Sequence, residues 1–409
     1  MADYLPLLIA LIALLFGIAG GKAHERYKLR DGRLIDRRRM RESPHYLQAL
    51  NFLVAGQLDL AIEGLQQAMS LQPDSLEMRM MVGNLLREKG QVGRAIQEHQ
   101  ALLQRPKLRR LEHANVLLCL GLDYRRGGFV DRALDAFNEV LRLDPDNQYA
   151  LLNLEKLYAE QHQWERAYET RQHLTTLAPE ETQRRSRAIL AFLENERGLE
   201  EMRAGRAADA ANRFGAAMHL DPTALPSYLN LGDIRRDHEQ LREAVEAWER
   251  LVHVSPDRAY LAFDRLEHGY AALGTPDRFP ELCRRLIEGN PQDWRARLAL
   301  AQHWSAAGRH ADAIELLFDA LVNNPHSLAI HVAIWRTLSA LDLPRPLANR
   351  YMELTRDSVF YLDPHMCIRC RYRSTEHLWQ CPHCHEWNTF VEERISPAKD
   401  ETTPAELIH

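Results

Sequence analysis

The chain has 409 residues, six cysteines and a formal net charge of −5, long enough for two or three ordinary domains or one long repeat array. Ordinary apolar content excludes wholesale disorder. The small negative charge argues against a general nucleic-acid binder, which usually carries a basic surface.

Tyr4 to Gly21 carry no charge and are mostly Leu, Ile, Ala and Phe. At ~1.5 Å per helical residue the stretch matches the hydrocarbon core of a bilayer, so residues 1–21 are predicted to be a transmembrane anchor. The next segment, 22–43, is basic: Lys22, Arg26, Lys28, Arg30, Arg33, Arg37, Arg38, Arg39 and Arg41 face only Glu25, Asp31, Asp36 and Glu42. The basic flank of a span stays in the cytoplasm. This predicts a single pass with Met1 outside and the bulk of the chain in the cytosol. A cleaved signal peptide would need a positive start, whereas the only charge before the span is Asp3.

From residue 44 the prolines keep a period. Pro145 and Pro179 are 34 apart, as are Pro222 and Pro256, and Pro291 and Pro325. Proline cannot continue a helix, so each stops one and resets the chain for the next. Ala61, Ala133, Ala167, Ala210, Ala244 and Ala313 precede these stops by twelve residues, where a small side chain lets two antiparallel helices approach. Leu65, Phe137, Phe214, Trp248 and Leu317 follow four residues later. Gly83, Gly121, Gly198 and Gly232 mark the small site of the first helix, with Tyr124, Tyr158, Tyr270 and Trp304 at its large site. The pattern resembles the tetratricopeptide repeat, a helix pair of period 34. The clearest unit runs from Asn115 to Pro145. The expected fold is an all-α solenoid of eight to nine hairpins over 44–358, its register slipping near Pro106 to Arg110 and again near Glu180 to Ala188. The slips are expected in loops, the second at a bend or sub-array boundary. His326 to Ser358 read as closing helices, and the abundant acids as outward, solvated positions.

Segment 359–395 carries the chemistry. Cys367-Ile-Arg-Cys370 is followed by ten residues and then Cys381-Pro-His-Cys384. Two such pairs so close together bring four thiolates to one ion, giving a tetrahedral S4 site for one zinc or iron. Four thiolates leave no open position, so the site reads as structural and the protein as no enzyme. His365, His377, His383 and His385 read as exposed loop residues. Arg369, Arg371 and Arg373 with Tyr372 read as a solvated edge or a docking face for the array. Cys119 and Cys283 read as buried core thiols. Phosphate-binding, zincin and nucleophile-elbow motifs are missing from the sequence. Residues 396–409 read as a flexible tail.

Anchor, repeats and a cysteine knuckle flanked by Trp379 and Trp387, in that order, look like the bacterial lipopolysaccharide assembly protein B family, whose knuckle is rubredoxin-like. The resemblance implies metal ligands Cys367, Cys370, Cys381 and Cys384. It implies a non-enzymatic inner-membrane adaptor that works with the membrane-bound FtsH protease to promote degradation of the deacetylase LpxC. That action limits lipopolysaccharide synthesis and is relieved by an envelope signalling membrane protein. No nucleic-acid partner is expected, and a homodimer stays open. Two other readings stand beside it: a general scaffold for envelope-biosynthesis enzymes, and a rubredoxin-like redox protein.

Overall fold

The computed structural model describes residues 44–355 and 365–392, except 72 and 107. The expected anchor 1–21, basic segment 22–43 and tail 396–409 lie outside the described residues. Among the described residues no helix is long and apolar enough to cross a membrane. The chain divides into two compact units, 1–157 and 158–409.

The described part of the first unit is built from helix hairpins: α1 (Pro44–Val54) with α2 (Leu58–Leu71), α3 (Leu76–Glu88) with α4 (Val92–Leu103), and α5 (Arg110–Arg126) with α6 (Val130–Leu143). Helix α7 (Gln148–Glu160) follows, and the unit boundary falls at its Leu157–Tyr158 step.

The second unit continues with α8 (Trp164–Leu177), then α9 (Glu180–Arg203) with α10 (Ala207–Leu220), and α11 (Leu225–Asp237) with α12 (Leu241–Val254). A 3-10 turn at Pro256–Ala262 leads into α13 (Phe263–Ala272), paired with α14 (Arg278–Gly289). The array closes with α15 (Trp294–Ala306), α16 (His310–Asn323), α17 (Leu328–Ala340) and α18 (Arg345–Thr355). Helices α6, α8, α10, α12, α14 and α16 each end two residues before a periodic proline.

The periodic alanines Ala61, Ala133, Ala167, Ala210, Ala244 and Ala313 are all fully buried. The aromatic followers Phe137, Phe214 and Trp248 lock against the glycines of the preceding helix. A Cβ on Gly121 would meet the Phe137 ring at 2.6 Å, and one on Gly198 the Phe214 ring at 2.6 Å. These helix pairs thus close to a distance that only hydrogen at the glycine site allows. The turn after each first helix needs a left-handed residue, supplied by Gly128 (φ 75°) or Gly308 (φ 77°) but also by His162 (φ 55°) and Glu239 (φ 62°).

Two expectations need correcting. The register slip after Glu180 is no loop. It lengthens α9 to 24 residues, and the unit boundary lies earlier, inside α7. Nor do all acids face solvent: Asp123, Glu155 and Glu194 are buried. Glu194 accepts from Arg197 at 2.5 Å and from Arg213 at 3.1 Å.

Asp123 answers a break in the pattern. The large site of the α3–α4 hairpin holds His99, fully buried against Gly83. Its Nδ1 donates to Asp123 Oδ2 at 2.5 Å, and Arg87 donates to Asp123 Oδ1 at 2.9 Å. Burial works against a charged imidazole, but the Asp123 carboxylate and the nearby Cys119 side chain outweigh it and hold His99 at about 9. A folded-state value above the unfolded ~6.5 stabilises the fold fully below pH ~6.5, and the effect fades as pH rises through about 9. Chemical denaturation of wild type should therefore lose up to about 3 kcal/mol between pH 6.5 and 9 relative to His99→Gln. Parallel pH profiles for the two proteins would contradict this pairing.

Candidate metal centre

Residues 365–392 form a three-stranded antiparallel sheet in the order β2-β1-β3, with β1 His365–Cys367, β2 Arg373–Ser374 and β3 Phe390–Glu392. Met366 pairs with Arg373 on one side and with Val391 on the other. Strands this short cannot hold a fold by pairing alone. Two tight turns of the same design do the shaping. In the first, Cys367 N–H donates to Tyr372 O at 2.9 Å and Arg371 N–H returns to Cys367 O at 2.9 Å. In the second, Cys381 N–H donates to Glu386 O at 2.9 Å and His385 N–H to Cys381 O at 2.8 Å. Arg371 and His385 both take φ near +60°, which bends each turn back on its cysteine.

The two turns bring Cys367, Cys370, Cys381 and Cys384 together, with the four Sγ atoms within 4.8 Å of one another. Cys367 Sγ lies 3.7 Å from Cys384 Sγ, and Cys370 Sγ 3.6 Å from Cys381 Sγ. A tetrahedron of metal–sulfur bonds near ~2.3 Å has edges of ~3.8 Å, so the donors fit one zinc-sized ion. Cys367 and Cys381 are buried, while Cys370 and Cys384 are half-buried.

The environment treats the thiols unequally. Burial opposes the Cys367 thiolate, but the Thr389 hydroxyl at 3.2 Å and the N–H groups of Cys370 and Arg369 hold the thiol down at about 6. Burial and the neighbouring thiols push Cys384 up to about 12. Burial raises Cys381 as well. A divalent cation among the four sulfurs would release the protons that remain on them. All four positions would then be filled by protein, leaving none for substrate.

The surroundings differ from the expectation of an exposed loop. Of the four histidines only His383 is exposed; His365, His377 and His385 are half-buried. Burial, together with the charges of Arg258, His365 and Arg295, keeps His377 neutral, at about 4. Arg369, Arg371 and Arg373 are exposed, so the docking face is the other side of the knuckle. There Trp387 stacks on Phe192 of α9 at 5.5 Å and 15°, with Trp164 edge-on at 6.4 Å. Trp379 tilts over Phe192 at 6.1 Å and packs against the core built by α11 to α15.

Polar contacts surround the stack. Arg185 donates to Glu386 at 3.0 Å and Arg258 to Asn388 at 2.8 Å, while Arg295 pairs with Glu392 at 2.8 Å. The extra turns of α9 supply Arg185. Sequence reasoning found the two tryptophans but not Phe192 or the three arginines, which carry no mark in the 34-residue period. Cys119 and Cys283 are buried as expected, and burial pushes Cys283 up to about 12, which makes it inert as a nucleophile.

Tetratricopeptide repeat models match residues 46–107, 119–169, 229–293 and 280–327, together just over half of the chain. The chain belongs to the tetratricopeptide repeat family. Residues 365–392 match a model described as a rubredoxin metal binding domain. Lipopolysaccharide assembly protein B of Escherichia coli strain K12 is 23% identical over 351 residues, covering 85% of this chain and 89% of that protein. Its namesake in Haemophilus influenzae strain Rd is 24% identical over 371 residues, 88% and 90% of the two chains. A solved tetratricopeptide repeat protein of Parabacteroides merdae is 17% identical and covers 72% of this chain and 97% of that one, with a TM-score of 0.34. The resemblance to the lipopolysaccharide assembly protein B family, read from the anchor, repeats and knuckle, holds.

Trp387→Ala should loosen the knuckle from the array by about 2 kcal/mol, the scale of a half-buried aromatic anchor. Hydrogen exchange across β3 and the middle of α9 should then quicken ~30-fold, with the helical circular-dichroism signal retained. Unchanged exchange would mean that the stack does not hold the docked state.

Proposed function

We propose that the protein is a non-enzymatic adaptor in lipopolysaccharide assembly, working at the cytoplasmic face of the inner membrane. In this reading residues 1–21 anchor it with the N-terminus in the periplasm. The array presents LpxC to the membrane-bound FtsH protease, so that more adaptor means less deacetylase and less lipopolysaccharide. An envelope signalling membrane protein relieves this action at the anchor. The observation that carries the reading is the joint arrangement of a repeat array and a closed four-thiol knuckle docked on it, found in a chain similar over most of its length to proteins named for lipopolysaccharide assembly. Repeat arrays offer extended surfaces suited to protein segments. Tethering one to a membrane raises its effective concentration near a membrane protease.

Deleting the gene should lengthen the half-life of the deacetylase several-fold. Restoring the full chain should reverse this, and restoring residues 44–409 alone should not. An unchanged half-life would leave only a general assembly scaffold.

Within the same reading Cys367, Cys370, Cys381 and Cys384 hold one structural zinc or iron ion. Cys381→Ser should lower the metal content of purified protein and make 365–392 sensitive to protease, since metal binding and folding are one event in so small a segment. Normal protease resistance in the metal-free variant would count against the assignment. A colourless, zinc-loaded protein would remove the redox alternative.

A further inference from the structure

The knuckle meets the array mainly through one short linear stretch. Within 385–392, His385 faces Glu160 at 3.4 Å, Glu386 meets Arg185, Trp387 meets Phe192 and Trp164, Asn388 meets Arg258, and Glu392 meets Arg295. Acids of the stretch thus face arginines of the array, and its tryptophan enters an aromatic slot. His385 and Asn388 take φ of 57° and 52°, and Phe390–Glu392 form β3, so the stretch presents a turn and a strand to the array; a peptide laid in a groove makes contacts of this kind. The fit is also incomplete. Trp387 Nε1 and His377 Nε2 are buried with no hydrogen-bond partner among the described residues. Each such atom weakens the docked state, because its lost hydration is not replaced.

We infer that the surface formed by Trp164, Arg185, Phe192, Arg258 and Arg295 is a peptide-binding groove, which the knuckle occupies as a displaceable ligand in cis. Its partner in trans is an acidic, tryptophan-bearing protein segment, with one acid directly before the aromatic residue and another five residues after it. The chemistry follows from complementarity: two carboxylates for Arg185 and Arg295, a side-chain amide for Arg258, and an indole for Phe192. The inference does not depend on which enzyme or protease the adaptor serves.

The test uses the full chain in detergent and a fluorescein-labelled synthetic peptide of residues 385–392, followed by fluorescence anisotropy. A tethered ligand competes at up to ~mM effective concentration, so wild type should bind the peptide weakly. Two undocked forms, Glu386→Arg with Trp387→Ala and Glu386→Ala with Glu392→Ala, keep the four cysteines and should bind it at least about tenfold tighter. Adding Arg185→Glu to either should reverse the gain. Equal affinity of wild type and both undocked forms, or no binding by either form, would overturn the groove. Undiminished hydrogen-exchange protection of β3 in both forms would overturn its premise, that these contacts hold the knuckle in place.

Discussion

The convergence of four thiols is the constraint from which the rest of the second unit's surface follows. Residues 365–392 have a core of Cys367, Cys381 and Phe390, with Cys370, Leu378 and Cys384 beside it. So little apolar burial cannot order a segment of that length. What fixes its shape is that two turns of one design must bring their sulfurs to a single point. Once they do, Trp379 and Trp387 are aimed at Phe192, and Glu386, Asn388 and Glu392 at three arginines. The cysteines thus decide which side chains meet the array.

In the array the corresponding constraint is the fit of a large side chain into the space left by glycine. Phe137 against Gly121 and Phe214 against Gly198 show the apolar version. Where the large residue is polar, the same geometry calls for partners. His99 sits at Gly83 and brings in Asp123 and Arg87, because a buried imidazole without them would go unsatisfied. Arg171 holds the large site of α8 and Glu155 the small site of α7, both buried. The repeat keeps its period while the residues at these sites change from aromatic to charged.

This explains what the sequence disclosed. Proline stops, buried alanines and the glycine–aromatic pairing are local and periodic, so they could be read directly. The cysteine spacing was legible because each pair must make one turn. Buried Asp123 and Glu194 were not, since a charged residue on a helix is outward by default and only a distant partner changes that. The lengthened α9 was missed because a residue insertion shows as a slip in register, and the slip does not say whether helix or loop absorbs it. The docking surface was hidden for a similar reason: Arg185 and Glu386 lie 201 residues apart, and neither breaks a pattern where it stands.

Docking also changes which charges the molecule displays. The knuckle turns Glu386 and Glu392 toward Arg185 and Arg295, and leaves Arg369 and Arg371 exposed beside the exposed Ile368 and Tyr372. Positive charge is therefore not cancelled when the domain closes down. It stands on the knuckle's outward side, beside apolar side chains. The Arg295–Glu392 pair is half-buried, so a partner lacking that acid would leave Arg295 desolvated and unpaired, whereas Arg185 is mostly exposed and its pair with Glu386 is worth little. Four protein thiols around one point would leave a bound ion no open position, so what the knuckle's geometry chiefly sets is the face it turns toward the array.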